Sequence, residues 1–347
     1  MGEPALYRRV ISGQDAWSLP LRGLLRLCSG CYGWAVCLRN RRFDRGVNRT
    51  SVEVPVISVG NVTTGGTGKT PLVIEVARRL ERHGRKVAVI SRGYRAPQDQ
   101  PADELIMVSR CLPGVVCLSD PDRVRAARRA IDQHAVDAIV LDDAFQHRRL
   151  ARDLDIVTID ATCPFGYGYL LPRGLLREPP ASLRRADLIV ISRADQVDEQ
   201  SLKALHTRLV DIAPQVRRAN SRHRLKGLVE LDGRAVDPAA DPASPVFCFS
   251  AIGNPAAFED TVRRTGADVR GCLRWPDHHR YAPADLVRVA GQAKRCEVDL
   301  LLTTEKDAVK LAAIPFDWPC RVLAVRIDVD FLDDGDTILA SALDHLL

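Results

Sequence analysis

A glycine-rich turn at residues 65–70 restricts the fold of this chain more than any other feature. A short β-branched run ends before it at Val59, and an amphipathic run begins after it at Pro71. Glycines in such a turn allow backbone N–H groups to point at phosphate oxygens, and the N-terminus of the following helix adds its positive dipole end. The order of strand, glycine-rich turn and helix therefore predicts a phosphate cradle.

The turn supplies a specific set of contacts for a nucleoside triphosphate such as ATP. Lys69 is expected to reach the β- and γ-phosphates, and Thr70 is expected to offer its hydroxyl to Mg²⁺. Thr63 stands where the strict G-x-x-x-x-G-K-[ST] pattern has its first glycine. The predicted nucleotide contacts are Thr63, Thr64, Gly65, Gly66, Thr67, Gly68, Lys69 and Thr70.

Apolar strands alternate with amphipathic helices from residue 54 onward. Strands that are apolar throughout are buried on both faces, which predicts an α/β fold with a mostly parallel sheet covered by helices. Ligands of such sheets lie beyond the carboxyl ends of the strands. The predicted strands are 54–59, 87–90, 138–141, 154–159 and 188–191, with helices at 71–80 and at 122–133, the latter with Arg123 on an exposed side.

The length of 347 residues allows two domains, and a basic stretch at 217–224 marks their junction as an extended hinge or a two-stranded connector. A second α/β unit follows, with strands at 246–250, 269–273, 300–303 and 321–327 and helices at 255–265 and 283–296. Thr304 and Asp307 predict a helix cap, with a further role at a substrate or domain interface left open. The expected domains are an amphipathic, basic segment at 1–50, a P-loop domain at 51–215 and a smaller Rossmann-like α/β domain at 216–347.

Two adjacent acids, Asp142 and Asp143, close a buried strand. Two carboxylates on one turn are costly to desolvate without a cation nearby, so the pair predicts a Mg²⁺ site, with a solvated turn as the alternative. The residue types leave open which acid would contact the ion. Gln146 and His147 follow at the same strand end.

The N-terminal segment at 19–38 is apolar, with Arg22 and Arg26 on one helical face, and five arginines follow within residues 39–49. The segment fits a helix lying in a membrane interface beside anionic lipids, and it fits equally a helix packed on the protein's own body. Its longest charge-free run is too short for a membrane span.

Composition excludes few classes of protein. The net charge of +6 is modest for this length and does not indicate nucleic acid. The ten cysteines are scattered, and the pair Cys28 and Cys31 has no second pair at zinc spacing. This pattern favours free thiols in a reducing, cytoplasmic setting.

Several motifs together resemble the tetraacyldisaccharide 4'-kinase (lipid A 4'-kinase) family. The chain carries them in the family's order: the glycine-rich turn, 91–94 (Ser-Arg-Gly-Tyr), 142–153 (Asp-Asp-Ala-Phe-Gln-His-Arg-Arg-Leu-Ala-Arg-Asp), 165–166 with 170–172 and 176–179, 277–278, and 303–310. The resemblance implies two α/β/α domains joined by a short β hinge. It also implies transfer of the γ-phosphate of ATP, with Mg²⁺, to the 4'-hydroxyl of a tetraacyldisaccharide 1-phosphate, giving lipid IVA.

The same resemblance implies a location and a set of site residues. The family acts as a monotopic protein on the cytoplasmic side of the bacterial inner membrane, which favours the interfacial interpretation of residues 19–38; a monomer is expected. The implied base is Asp103, with Asp99 as a competitor, and the implied partner of the base is His278. Further substrate contacts are expected from Arg92, Gln146, His147, Arg177 and Glu178, with a surface ion pair as the alternative for the last two.

Two other function classes fit parts of the chain. Residues 192–195 (Ser-Arg-Ala-Asp) loosely imitate the guanine-reading turn of GTPases, so a nucleotide switch is one alternative. A membrane-surface module that binds nucleotide only as a structural ligand is the other. Strict use of GTP would exclude the kinase, and Asp103 with the Asp142–Asp143 pair argues against the module.

Overall fold

The computed structural model describes residues 5–13, 18–93, 102–236, 245–277 and 279–346. The described helices are α1 (Ala5–Ser12), α2 (Leu19–Asp44), α3 (Lys69–Arg82), α4 (Asp103–Cys111), α5 (Arg123–His134), α6 (Glu199–Ile212), α7 (Pro255–Arg263), α8 (Pro283–Arg295), α9 (Glu305–Leu311) and α10 (Gly335–Asp344). The described strands are β1 (Val56–Asn61), β2 (Val87–Ser91), β3 (Val116–Ser119), β4 (Ala138–Asp142), β5 (Leu154–Asp160), β6 (Leu188–Ser192), β7 (Arg217–Val229), β8 (Pro245–Ser250), β9 (Asp268–Arg274), β10 (Leu300–Thr304) and β11 (Arg321–Phe331).

The chain divides into a larger unit, Ala5–Arg222 with Val329–Leu347, and a smaller unit, His223–Asp328. In the larger unit the strand order is β3-β2-β4-β1-β5-β6-β7, and each neighbouring pair is parallel. Every residue of β1, β2, β4, β5 and β6 is buried. The predicted parallel sheet, apolar on both faces, is confirmed.

Alternate residues of each strand feed different cores, as the pleat requires. Ile57 and Val59 of β1 pack with α3, α4 and α10, whereas Val56 packs with α5 on the opposite face. All six carboxyl ends of β1 to β6 therefore lie along one edge, between two layers of helices.

The smaller unit contains a second parallel sheet, in the order β11-β10-β8-β9. Helix α8 packs its Leu286 and Val289 into the core of this unit. The predicted cap is confirmed, because Asp307 donates its backbone N–H to Thr304 Oγ1 at 3.1 Å at the start of α9.

The units differ from the predicted domain limits at the C-terminus. Helix α10 belongs to the larger unit, although the sequence analysis placed residues 216–347 together. The reason is packing, since Leu339 and Leu343 are buried in the core around α3. The basic stretch at 217–224 lies within β7, where Arg222 pairs with Asp330 of β11 at 2.7 Å. The predicted limits at 50 and 215 stay predictions.

Helix α2 has two faces, and the interpretation of the N-terminal segment as a helix packed on the protein's own body applies to one of them. A stripe through Arg22, Leu25, Ser29, Val36 and Asn40 is buried or half-buried against the rest of the larger unit. The interfacial interpretation stays a prediction. The opposite face exposes large apolar side chains, which are Leu19, Leu21, Leu24, Leu27, Trp34 and Leu38. Among the described helices, none has an apolar stretch that could cross a bilayer.

Candidate nucleotide and metal site

The glycine-rich turn leaves β1 at Asn61 and enters α3 at Lys69. Gly65 and Gly68 have φ values of 108° and 81°, a backbone region that residues with a Cβ rarely adopt. Inside the turn, Asn61 donates from Nδ2 to Thr67 Oγ1 at 3.0 Å, which fixes the loop from within. The predicted order of strand, turn and helix is confirmed.

Thr63 explains why the first glycine of the strict pattern is dispensable. This residue forms an antiparallel bridge with Leu176, an extended conformation that any side chain adopts without strain. The next residue, Thr64, donates its backbone N–H to Leu175 O at 2.8 Å. The start of the loop is therefore held by residues 175–176, and only its later part needs glycine.

Residues 192–193 support the loop from outside. Ser192 Oγ donates to Thr67 O at 2.9 Å, and Arg193 donates to Gly66 O at 3.1 Å. Arg193 is buried and also pairs with Asp160 at the end of β5. Both contacts are made by Nη1 of this buried side chain, so Arg193 braces the phosphate loop from outside, which disfavours the guanine-reading interpretation.

Asp142, the last residue of β4, carries the clearest electrostatic anomaly of the site. Burial, followed by the charges of Asp143 and Glu104, raises the pKa of its carboxyl to about 7. Within the described part of the chain, no hydrogen bond reaches its buried Oδ1 atom. A buried carboxylate oxygen without a partner is costly and indicates a missing cation or donor.

The surroundings of Asp143 shift its pKa in the opposite direction. Its enclosure would raise its pKa, but the Lys69 ammonium and the Arg177 guanidinium hold that pKa well below its ordinary value. Lys69 Nζ lies 3.4 Å from Oδ1, and Arg177 donates to both carboxylate oxygens at 2.9 Å. Asp143 adopts a φ of 50°, a left-handed conformation that turns the chain sharply after β4.

The residues at this edge fit Mg²⁺. The ion prefers hard oxygen ligands and keeps several waters, so one or two carboxylates and a hydroxyl are sufficient. Asp142 offers the unpartnered buried oxygen, and Thr70 begins α3 beside Lys69. No cluster of three or more His, Cys, Asp or Glu side chains suited to a metal occurs among the residues that the structure describes.

Gln146 and Arg177 join the two strand ends at the loop. Gln146 donates from Nε2 to Asn61 O at 2.9 Å, and its Oε1 accepts from Arg177 at 3.4 Å. Glu178, the neighbour of Arg177, has no exposed surface. A side chain with no exposed surface cannot contact a substrate, which corrects the prediction of such a contact for Glu178 and also excludes a surface ion pair.

A second group of basic side chains lies around Asp142. Arg123, at the start of α5, is only 2% exposed, and its charge acts on Asp142, Asp143 and Arg92. The expectation that Arg123 is exposed is wrong, because the first turn of α5 points into the strand ends. Burial and then Arg123 lower the pKa of His147 to about 4, so this imidazole is neutral at pH 7.

Comparison with known proteins decides the family. The model of the family described as tetraacyldisaccharide-1-P 4'-kinase matches residues 21–347. The chain belongs to this family. It is 40% identical over 341 residues to the tetraacyldisaccharide 4'-kinase of Anaeromyxobacter sp. (strain Fw109-5), covering 93% of this chain and 91% of the relative. It is 41% identical over 320 residues to that of Syntrophus aciditrophicus, covering 84% and 85%.

A solved structure agrees in fold. The chain is similar to LpxK from Aquifex aeolicus, crystallised in complex with ATP, with a TM-score of 0.73 and 26% sequence identity. The match covers 94% of this chain and 99% of that chain. The similarity thus extends over both units and not only over the phosphate loop.

Of the acid–base residues that the family resemblance implies, Asp103 lies among the described residues. Asp103 is the first residue of α4, and its neighbour Glu104 is close enough to Asp142 to raise the pKa of that carboxyl. Glu104 was not predicted as a site residue from the sequence, because an acid in the first turn of a helix usually interacts only with the helix dipole. Asp99, Tyr94 and His278 lie outside the described residues.

Proposed function

We propose that this chain binds ATP at the glycine-rich loop and transfers the γ-phosphate to the 4'-hydroxyl of a tetraacyldisaccharide 1-phosphate, giving lipid IVA. The chain is an ATP-dependent kinase of the lipid A 4'-kinase family. The observation that carries the residue-level proposal is the unpartnered, buried Asp142 Oδ1 beside the Lys69–Asp143 ion pair. Both features lie where the loop would present the terminal phosphates of ATP.

The donor side of the site uses Lys69, Thr70 and the acid pair. Lys69 would contact the β- and γ-phosphates, and its Nζ lies 3.4 Å from Asp143 Oδ1. Asp142 and Thr70 would hold Mg²⁺, with Asp143 as the counterion of Lys69 and Arg177. When bound, the ion would neutralise charge on the phosphate oxygens during transfer. We therefore propose Asp142 as the direct carboxylate ligand, a choice that the sequence left open.

Asp103 is proposed as the base that accepts the proton of the attacking hydroxyl. Its position supports this role, because α4 begins at Asp103 and the next residue acts electrostatically on Asp142. His278 remains the proposed partner that orients this base. Arg92 and His147 are proposed to contact the acceptor, and the buried Arg123 is proposed to act on the site only through its charge.

The acceptor is a lipid, and α2 offers a surface for it. Its exposed apolar face is followed by the exposed basic residues Arg41, Arg42 and Arg45. Apolar side chains with flanking cations bind an anionic lipid interface. We place the protein as a monomer at the cytoplasmic face of the bacterial inner membrane.

The base assignment is tested by Asp103→Ala, assayed as transfer of labelled γ-phosphate from ATP to tetraacyldisaccharide 1-phosphate in detergent micelles. Loss of a general base should lower kcat by about 10²- to 10⁴-fold while ATP still binds. Glu199→Ala is the matched control, because Glu199 is also an acid at the first position of a helix. Its kcat should stay within about twofold of wild type.

Two outcomes would contradict the proposal. Transfer that proceeds at the wild-type rate in Asp103→Ala would remove Asp103 as the base and direct attention to Asp99. Turnover of GTP but not of ATP, with no phosphate transferred to the lipid, would reject the ATP-dependent kinase itself. The two results are separable, since the first concerns only one variant and the second concerns the wild-type protein.

A further inference from the structure

Residues 175–178, here called the linking segment, contact the phosphate loop on one side and α2 on the other. On the loop side, Leu175 O accepts from Thr64 N at 2.8 Å, and Arg177 N donates to Val62 O at 2.7 Å. On the other side, Arg177 O accepts from Tyr32 Oη of α2 at 2.9 Å. The four residues of the linking segment therefore connect α2 to the loop that would hold ATP.

Glu178 fastens the same segment to α2 through buried charge. Its carboxylate accepts from Arg39 at 3.0 Å, from Asn40 at 3.2 Å and from Arg185 at 2.7 Å. The Glu178 carboxylate is fully buried, whereas its partner Arg39 is 43% exposed, so removing a cationic partner leaves the buried carboxylate less compensated and lowers the stability of the protein. These contacts therefore hold the side chain of Glu178 in place against α2.

The side chain between these two anchors enters the proposed site. Arg177 donates to both oxygens of Asp143 and to Gln146. Arg177 is thus, beside Lys69, a second cation that neutralises and orients Asp143. The backbone of Arg177 is set by Tyr32 on one side and by Val62 on the other, so its reach to Asp143 depends on how α2 is seated.

Helix α2 is attached to the other side of the site as well. Arg148, five residues after Asp143, is 3% exposed and donates to Asn40 O at 3.1 Å and to Asp44 at 2.7 Å. The two segments that meet at Asp143 are therefore both held by the last three turns of α2. A helix that served only to bind a membrane would not need buried polar bonds to both.

We infer that Tyr32 and Glu178 are positioning residues, through which α2 sets Arg177 on Asp143 for phosphoryl transfer. The inference rests on the proposed kinase function and deepens it, because it makes the lipid-facing helix part of the device that organises the ATP site. Neither residue touches the reacting atoms. Their effect passes through the linking segment.

The test is a pair of hydroxyl deletions on α2, assayed with saturating ATP and tetraacyldisaccharide 1-phosphate in micelles. Tyr32→Phe removes only the bond to Arg177 O and should lower kcat by about three- to tenfold, with KM for the lipid little changed. Ser29→Ala is the matched control, because Ser29 Oγ also bonds α2 to the larger unit, at Leu170 O, but does not contact the linking segment. Its kcat should stay within about twofold of wild type.

A double-mutant cycle separates positioning from a general loss of packing. If Tyr32 acts through Arg177, then Tyr32→Phe has no further effect on kcat in an Arg177→Ala background. Glu178→Gln in both backgrounds gives a second cycle with the same expectation. Thermal melting of each variant verifies that it is folded.

Three results would overturn the inference. The first is a wild-type kcat in Tyr32→Phe, and the second is a loss of kcat in Ser29→Ala as large as that in Tyr32→Phe. The third is an equal loss of kcat from Tyr32→Phe with and without Arg177. Failure of the proposed function looks different, because the wild-type protein would then show no transfer to the lipid in the same assay.

Discussion

Asp142 and Asp143 are neighbours in the chain, but their surroundings separate their pKa values in opposite directions. Asp142 is enclosed without a hydrogen bond to Oδ1, whereas Asp143 is neutralised by Lys69 and Arg177. The left-handed turn at Asp143 is what points the two carboxylates at different partners. At the scale of single residues, this difference supports the proposal that Asp142 is the Mg²⁺ ligand and that Asp143 is the counterion of Lys69 and Arg177.

The pKa of Asp142 predicts how the metal-free protein responds to pH. The folded-state pKa of about 7 lies above the ordinary value of 3.8, so the folded state binds more protons than the unfolded chain between these values. The titration of Asp142 should therefore lower the free energy of unfolding as pH rises through this window, by at most about 1.4 kcal/mol per pH unit. The lowered pKa of His147, about 4 against the ordinary 6.5, acts with the opposite sign between those two values, so the contribution of Asp142 is the difference between the wild type and Asp142→Asn. The lowered pKa of Asp143 acts only below the window.

Denaturant unfolding of the metal-free protein between pH 4 and pH 8 measures this effect. Asp142→Asn should lose the fall in stability that Asp142 contributes, so the difference between the two proteins should change with pH across the window. Mg²⁺ should restore stability above pH 7 in the wild type but not in the variant. An identical slope in wild type and Asp142→Asn would show that another group carries the titration.

At the scale of one element, helix α2 has two distinct faces although its polar and apolar residues are not separated onto opposite sides. Its packed stripe is partly polar, with Ser29, Asn40 and Tyr32 bonded to the larger unit, and its exposed face is partly apolar. Because the polar groups face inward, the usual pattern of apolar inside and polar outside is inverted. Large exposed apolar patches of this kind mark interaction surfaces.

Leu27→Glu tests the exposed face. Leu27 is 73% exposed, so the substitution should leave stability and ATP binding unchanged while weakening binding to vesicles of anionic lipid by about tenfold or more. Val287→Glu is the control, because Val287 of α8 is also apolar and 61% exposed. Vesicle co-sedimentation that falls equally in both variants would contradict a specific role of α2.

At the scale of the whole molecule, the chain enters the smaller unit after Arg222 and returns to the larger unit at Val329. The last helix, α10, then packs beside α3, the helix that begins at the phosphate loop. The core that supports the ATP site therefore includes residues from the far end of the chain. Its stability depends on the C-terminus although no site residue lies there.

Leu339→Ala tests this dependence. Leu339 is fully buried, so the substitution should destabilise the larger unit by about 2–5 kcal/mol. Hydrogen exchange should speed up in β1 and α3 and stay unchanged in β8 and β10. Leu286→Ala, equally buried in the smaller unit, should give the reverse pattern. Faster exchange in both units for either variant would show that they unfold together.

The parallel sheet and the phosphate loop could be predicted from residues that are close together in the sequence. Continuous apolar strands predict a parallel sheet, and a strand, glycine-rich turn and helix predict a phosphate loop, because each depends on residues that are close in sequence. Strand β3 and helices α4, α6 and α10 were not predicted, since their patterns are short or polar. The burial of Arg123 was also missed, because an arginine at a helix start is normally solvated.

The sequence by itself determined the fold class, the phosphate loop, the acid pair and the family resemblance, all of which rest on short runs of residues. Only the tertiary structure decided that Asp142 Oδ1 has no hydrogen-bond partner among the described residues while Asp143 is neutralised, and that Arg177 and Glu178 face different neighbours. These outcomes depend on contacts between residues more than 30 positions apart, such as Arg177 with Asp143 and Glu178 with Arg39. No local pattern encodes such contacts, because they arise only when the sheet brings distant loops to the same edge.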